Sequence, residues 1–119
     1  MMEWDIVRFN DLDTYTLYAL LQLRVDVFVV EQNCVYQDID GKDKKSTHLM
    51  AWHNDNLVAY TRLVPPGVSF KEASIGRVIT SPFYRGLGIP IFLSSDFTTI
   101  WQRIQTIFFM NSFKCPYYD

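Results

Sequence analysis

Residues 81–90, SPFYRGLGIP, place an arginine and two glycines between an apolar stretch and the expected start of a helix. A strand that passes through a glycine-containing loop into a helix can hold phosphate. The unpaired amides at the helix start converge on one point and carry the positive end of the helix dipole. Gly86 and Gly88 let the backbone approach an anion with no Cβ in the way, and Arg85 adds a permanent charge with several fixed donors. A plain tight turn from strand to helix uses glycine for the same steric reason, so spacing alone leaves both readings standing. Pro90 suits the first turn of a helix, where its missing amide has no intrahelical partner, but it removes one donor from a phosphate cradle. With Pro90 at the first helical position, the amides of Leu87, Gly88 and Ile89 remain for a diphosphate.

Other chemistry is sparse. His48 and His53 stand five apart on an expected strand, hence on opposite faces, and no C-x-x-C accompanies them, so no metal centre is expected. Cys34 and Cys115 are each expected to be a free, partly buried thiol. The formal net charge is −2, and Asp43 breaks the basic cluster of Lys42, Lys44 and Lys45. Neither a nucleic acid nor a membrane surface is therefore an expected partner. The N-terminal MMEWDIVRFND carries acidic residues early and has no uninterrupted apolar segment, so neither a signal peptide nor a spanning helix is expected, and the reading is cytoplasmic.

The elements that must position the glycine loop follow from periodicity. The 119 residues show no composition shift or linker, so a single domain over 1–119 is expected, and a 49% hydrophobic content supplies its core. EWDIVRF (3–9) alternates apolar and polar residues and reads as a strand ending at the turn-forming NDLD. A helix follows, with Leu17, Leu20, Leu21, Val25 and Phe28 at three- and four-residue steps and Asp13 or Thr14 as its cap. Its β-branched end, VDVFVV, opposes helix there. NCVYQDIDGKDKKS reads as a long polar loop, and long loops within compact domains often carry function. Strands at 48–53 and 56–63 meet at Asn54-Asp55, residues that tolerate the positive φ of a two-residue hairpin turn. A strand at 73–80 follows, whose Gly76 marks a bulge or a close backbone approach. Past the glycine loop, Leu93, Phe97, Ile100, Trp101 and Ile104 fall at helical spacing, and TIFFMN reads as a buried strand.

Three stretches, LYALLQLRVDVFVVEQNCVYQDIDGKD, THLMAWHNDNLVAYTRLVPPG and SIGRVITSPFYRGLGI, resemble the ElaA-like branch of the GNAT superfamily of acyl-CoA-dependent N-acyltransferases. The last contains that superfamily's Gln/Arg-x-x-Gly-x-Gly/Ala signature at Arg85, Gly88 and position 90, where Pro90 departs from it. The resemblance covers 3–89 and then thins, returning in FMNSFKCPYYD; relatives continue through a further helix and strands, so the chain reads as lacking the C-terminal part of the fold. It implies an α/β (α+β) fold with a mixed, mostly antiparallel central sheet flanked by helices, in the order β-α-β-β-β-α-β.

The resemblance also implies transfer of an acetyl group from acetyl-CoA to a primary amine, of a small molecule or a peptide. In this fold the SIGRVIT and TIFFMN strands splay apart, so the main chain of Val78, Ile79 and Thr80 would bond the pantetheine arm, with the diphosphate over Arg85, Gly86, Leu87, Gly88, Ile89 and Pro90. Glu31 is the candidate base, acting through water, and its bland alternative is a carboxylate that solvates a helix end. Tyr118 is the candidate acid for the leaving thiolate, or else a frayed terminal residue. Arg24 and Arg77 interrupt apolar segments and read as structural ion pairs; the functional alternative is a wall of the acceptor site shared with Asp38 and Asp40. Trp52 and Tyr60 fit cross-strand core packing. The competing reading of the whole chain is a non-catalytic CoA-binding or GNAT-fold protein completed by another chain, with a homodimer as one form. The autoinducer-synthase group shares an arginine and VFV on an early helix, but EQNCVYQDIDGKD points to the ElaA-like branch.

Overall fold

The computed structural model describes residues 2–82. Within them the chain forms β1 (Met2–Arg8), α1 (Thr14–Arg24), β2 (Thr47–His53), β3 (Asn56–Val64) and β4 (Ser74–Thr80). The four strands make one antiparallel sheet in the order β1-β2-β3-β4. The expected β-α-β-β-β order is present, and the fold is of the mixed α/β kind. The expected second helix, the TIFFMN strand, the 83–90 loop, Cys115 and Tyr118 lie outside the described residues. Among those that are described, no helix is long and apolar enough to cross a membrane.

Each local feature has a chemical cause. Asp13 caps α1, its carboxylate accepting from the Thr16 amide at 2.7 Å and satisfying one donor that the helix itself cannot. Asn54 and Asp55 both take positive φ, 50° and 66°, as a primed two-residue turn between β2 and β3 requires. The β-branched run after α1 does not end the helix. It widens into a π-helical segment, Val25–Glu31, whose last turn includes a bond from the Cys34 amide to the Val29 carbonyl five residues back. The wider turn rotates the apolar face, so Val27 takes the core position that an unbroken 3.6 period assigns to Val25.

The core lies between α1 and one face of the sheet, where Leu20, Leu23 and Val27 meet Met50, Tyr60 and Ile79. A register shift opposite Ala51 and Trp52 gives β3 one extra residue, which sets Val58 and Ala59 together against Ala51 on the other face, beside Met2 and Trp4. The 33–46 loop is polar in composition yet is anchored inward: Asp38, Asp43 and Ser46 are buried, and a short 3-10 turn at Asp43–Lys45 leads into β2. Cys34 is free and exposed, contrary to the partly buried thiol expected, because it follows the helix end where the chain turns outward at Asn33, φ 51°.

Candidate functional site

β4, the last strand of the sheet among the described residues, carries the irregularity that matters for a ligand slot. Tyr60 pairs with Ile79 but Arg62 pairs with Gly76, so two steps along β3 match three along β4, which places one extra residue in β4. The bulge expected at Gly76 is present, although the left-handed residue in it is Arg77, at φ 55°. Holding a non-glycine residue there costs on the order of 1–3 kcal/mol. Thr61, opposite the bulge, donates from Oγ1 to the Gly76 carbonyl at 3.0 Å. Beyond the bulge the ladder resumes, with the Ser81 amide donating to the Val58 carbonyl at 2.8 Å. By the alternation of an antiparallel pair, the main-chain groups of Thr80 between these points face away from β3. Val78, Ile79 and Thr80 thus sit on the outer strand of the described sheet, directly before the 83–90 segment.

A cleft of about 440 Å³ opens at this end of β4, between α1 and the β2–β3 turn, with Gln22, Asp26, Trp52, Asp55 and Ser81 among its lining.

Behind the bulge lies a buried network of three arginines and three aspartates. Arg24, fully buried at the end of α1, donates from Nε to Asp38 Oδ2 at 3.0 Å, from Nη1 to Asp43 Oδ1 at 2.6 Å and from Nη2 to the Asp38 carbonyl at 2.8 Å. Arg62 on β3 forks onto Asp40, with Nη1 to Oδ1 at 2.8 Å and Nη2 to Oδ2 at 3.0 Å, and also reaches Asp43. Arg77 donates to Asp38 Oδ1 at 2.9 Å and more weakly to Asp40. Three positive and three negative charges balance, which is what permits Arg24, Arg62, Asp38 and Asp43 to be buried while Arg77 and Asp40 stay half-buried at the rim. Burial alone pushes the Asp40 carboxyl up, but the Arg62 fork, the Lys42 amide and the nearby guanidinium charges outweigh it and hold the group at about 2. Burial also pushes the Tyr36 phenol up, to about 12, helped by the bond it donates to Asp38 at 2.8 Å. His48 is buried between the Tyr60 hydroxyl, 2.6 Å from Nδ1, and the Asp43 carbonyl, 2.9 Å from Nε2. Desolvation lowers its pKa, and the neutral ring with the proton on Nε2 satisfies both contacts.

Four of the residues singled out in the sequence, Arg24, Arg77, Asp38 and Asp40, are therefore in direct contact. Glu31 ends the π-helical segment and is exposed. Asp43, Arg62 and His48 are members that sequence reasoning passed over. Arg62 interrupts the apolar AYTRLV just as Arg24 and Arg77 interrupt theirs, and three such arginines call for three acids, which the loop supplies at 38, 40 and 43.

Residues 14–89, which include α1, the network and the bulged strand, match the acetyltransferase (GNAT) family. The chain belongs to that family. Within it the chain is ElaA-like. It is 50% identical to protein ElaA of Escherichia coli (strain K12) over 88 residues, 72% of this chain and 58% of ElaA. It is 49% identical to UPF0039 protein sll0451 of Synechocystis over 88 residues, 73% of this chain and 57% of that protein. The GNAT chain thus spans a little over half the length of these relatives. Crystal structures agree: an acyl-CoA N-acyltransferase from Pseudomonas aeruginosa superposes with a TM-score of 0.77 at 40% identity, covering 90% of this chain and 73% of that one. E. coli ElaA gives 0.72 at 40% identity, covering 90% of this chain and 69% of its own. A predicted acetyltransferase from Clostridium acetobutylicum with acetyl-CoA shares the GNAT fold, with a TM-score of 0.53 at 19% identity over 90% of this chain and 73% of that one.

Proposed function

We propose that this protein is an N-acetyltransferase that takes acetyl-CoA along the outer edge of β4 and acetylates a primary amine of a small molecule or peptide. The observation that supports the reading is a bulged strand, outermost in the described sheet, that is followed in the sequence by the Arg85-x-x-Gly88 signature in a chain of the GNAT family. Of the three residues singled out on β4, the main chain of Val78 and Thr80 would bond the amides of the pantetheine arm as an added strand does, while Ile79 pairs with Tyr60 on the β3 side. Arg85 and the amides of Gly86, Leu87, Gly88 and Ile89 would hold the diphosphate, with Pro90 contributing no donor.

An alkylammonium, with a pKa of roughly 10, must lose its proton before it attacks. Glu31 is assigned that role through a water molecule. The amine nitrogen then bonds to the thioester carbon, the carbon–sulfur bond breaks, the departing thiolate takes a proton from the Tyr118 phenol, and the proton that the nitrogen sheds on becoming an amide restores that phenol. Asp38 and Asp40 are already shared among three guanidiniums, so they serve the acceptor site by fixing the 33–46 loop, with no charge left over to bind the amine directly.

The test is incubation with acetyl-CoA and a panel of amines, measuring thiol release, alongside calorimetric titration with CoA. Turnover with at least one amine supports the enzyme. CoA binding without turnover supports the non-catalytic alternative, and absence of both removes the assignment.

A further inference from the structure

Gly76 and Arg77 have exchanged the positions that backbone chemistry would give them. Gly76 has an ordinary φ, and a Cβ built on it meets nothing within 4 Å, so glycine is not required there. The left-handed conformation falls on Arg77, a long side chain that disfavours it. Something other than backbone preference holds residue 77 in place, and its side chain shows what. Nε donates to Asp38 Oδ1 at 2.9 Å, Nη2 donates to the Asp38 carbonyl at 3.2 Å, and the guanidinium lies 5.5 Å over the Tyr36 ring. These contacts, with a weaker one from Nη2 to Asp40 Oδ2 at 3.4 Å, are all to the 33–46 loop, about forty residues earlier in the chain. Asp38 is in turn gripped from behind by Arg24, so the anchor is not free to follow Arg77.

We infer that Arg77 is a positioning residue, a latch by which the 33–46 loop holds the β4 bulge open for the acyl-CoA thioester arm. The inference rests on the proposed CoA slot, and it adds that the slot's shape is set by the loop's grip on Arg77. A bulge exposes main-chain groups that a regular strand would turn inward. Released from Asp38, β4 can exchange the bulge for a regular register with β3, and the groups of Val78 and Ile79 then change direction. Loop and slot become one cooperative unit, so a change in the loop alters CoA affinity without touching CoA.

The test uses the full chain as wild type, Arg77→Gly, Arg77→Lys and Asp38→Asn. Glycine accepts φ 55° without strain, so Arg77→Gly removes the latch while leaving the backbone conformation allowed. Two readouts are taken: CoA affinity by calorimetry, and amide line widths of Gly76, Val78 and Ile79 by nitrogen–proton NMR. The latch predicts about tenfold weaker CoA binding for Arg77→Gly, exchange broadening of those three amides, and partial recovery of affinity in Arg77→Lys, which keeps a charge that reaches Asp38. Asp38→Asn, altered on the loop side only, broadens the same amides. Sharp amide signals in both Arg77→Gly and Asp38→Asn, with CoA affinity within about twofold of wild type, overturn the inference. If the wild-type chain binds no CoA, the proposed function falls on that result, while the line widths still decide whether the loop controls the bulge. Should Arg77→Gly fail to fold, Arg77→Lys and Asp38→Asn give the same two readouts.

Discussion

Replacing Arg24 with methionine tests whether the buried network is a closed electrostatic unit. The substitution keeps most of the side-chain volume against Tyr60 and removes three hydrogen bonds, two to Asp38 and one to Asp43. It also leaves two guanidiniums facing three carboxylates. The orphaned groups are not equally exposed to loss: Asp38 keeps Arg77 and Tyr36, while Asp43 keeps a single 3.1 Å contact from Arg62. Breaking a buried pair from one side costs roughly 3–5 kcal/mol, and the surviving contacts put this case at the low end, about 3 kcal/mol. That is a large share of the 5–15 kcal/mol typical of a small domain. Urea unfolding followed by circular dichroism measures it directly. The double variant Arg24→Met/Asp43→Asn restores charge balance, and the cycle should return about 1–2 kcal/mol of coupling. A loss below about 1 kcal/mol for the single variant, or strict additivity in the cycle, refutes the closed-network reasoning.

Stability should fall in two stages as pH drops. His48 has a lowered folded pKa, so its contribution is complete above the unfolded value of 6.5 and is lost as pH falls below that value. Asp40, lowered from 3.8 to about 2, contributes on the order of 1–2 kcal/mol after discounting for solvent screening of a half-buried group, and this disappears between about pH 4 and pH 2; His48→Gln should remove the first stage and leave the second, read as unfolding midpoints from about pH 8 to about pH 2. Gly76→Ala should be neutral or stabilise by up to about 1 kcal/mol, because it sits in a strand at ordinary φ with open space around it. A clear destabilisation in the same urea assay would contradict the placement of strain at residue 77. Asp13→Ala should lower thermal stability through the lost cap on Thr16, measured as a fall in the melting temperature.

Much of the sheet was legible because its signals are local. The Asn54-Asp55 turn declares itself by residues that accept positive φ, and alternation or apolar runs mark the strands to within a residue or two. The helix was legible as far as Arg24, where the period is 3.6; the β-branched run after it alters the period without abolishing helix, so Val27 displaced Val25 from the core. The network was half legible. A lone arginine in an apolar element announces that it needs an acid, but which acid depends on how a fourteen-residue loop folds over the sheet. Arg77 shows the limit most clearly: glycine at 76 suggested where β4 is irregular, whereas the strain sits on its neighbour because tertiary contacts to Asp38 outweigh backbone preference.

A crystal structure of the complex with CoA tests directly whether CoA lies along β4 and over the glycine loop. It should show the pantetheine amides bonded to the main chain of Val78 and Thr80, with the diphosphate within hydrogen-bond distance of the Gly86 to Ile89 amides and the Arg85 guanidinium. CoA bound elsewhere, or β4 covered along that edge by the chain's own hydrogen bonds, would contradict it.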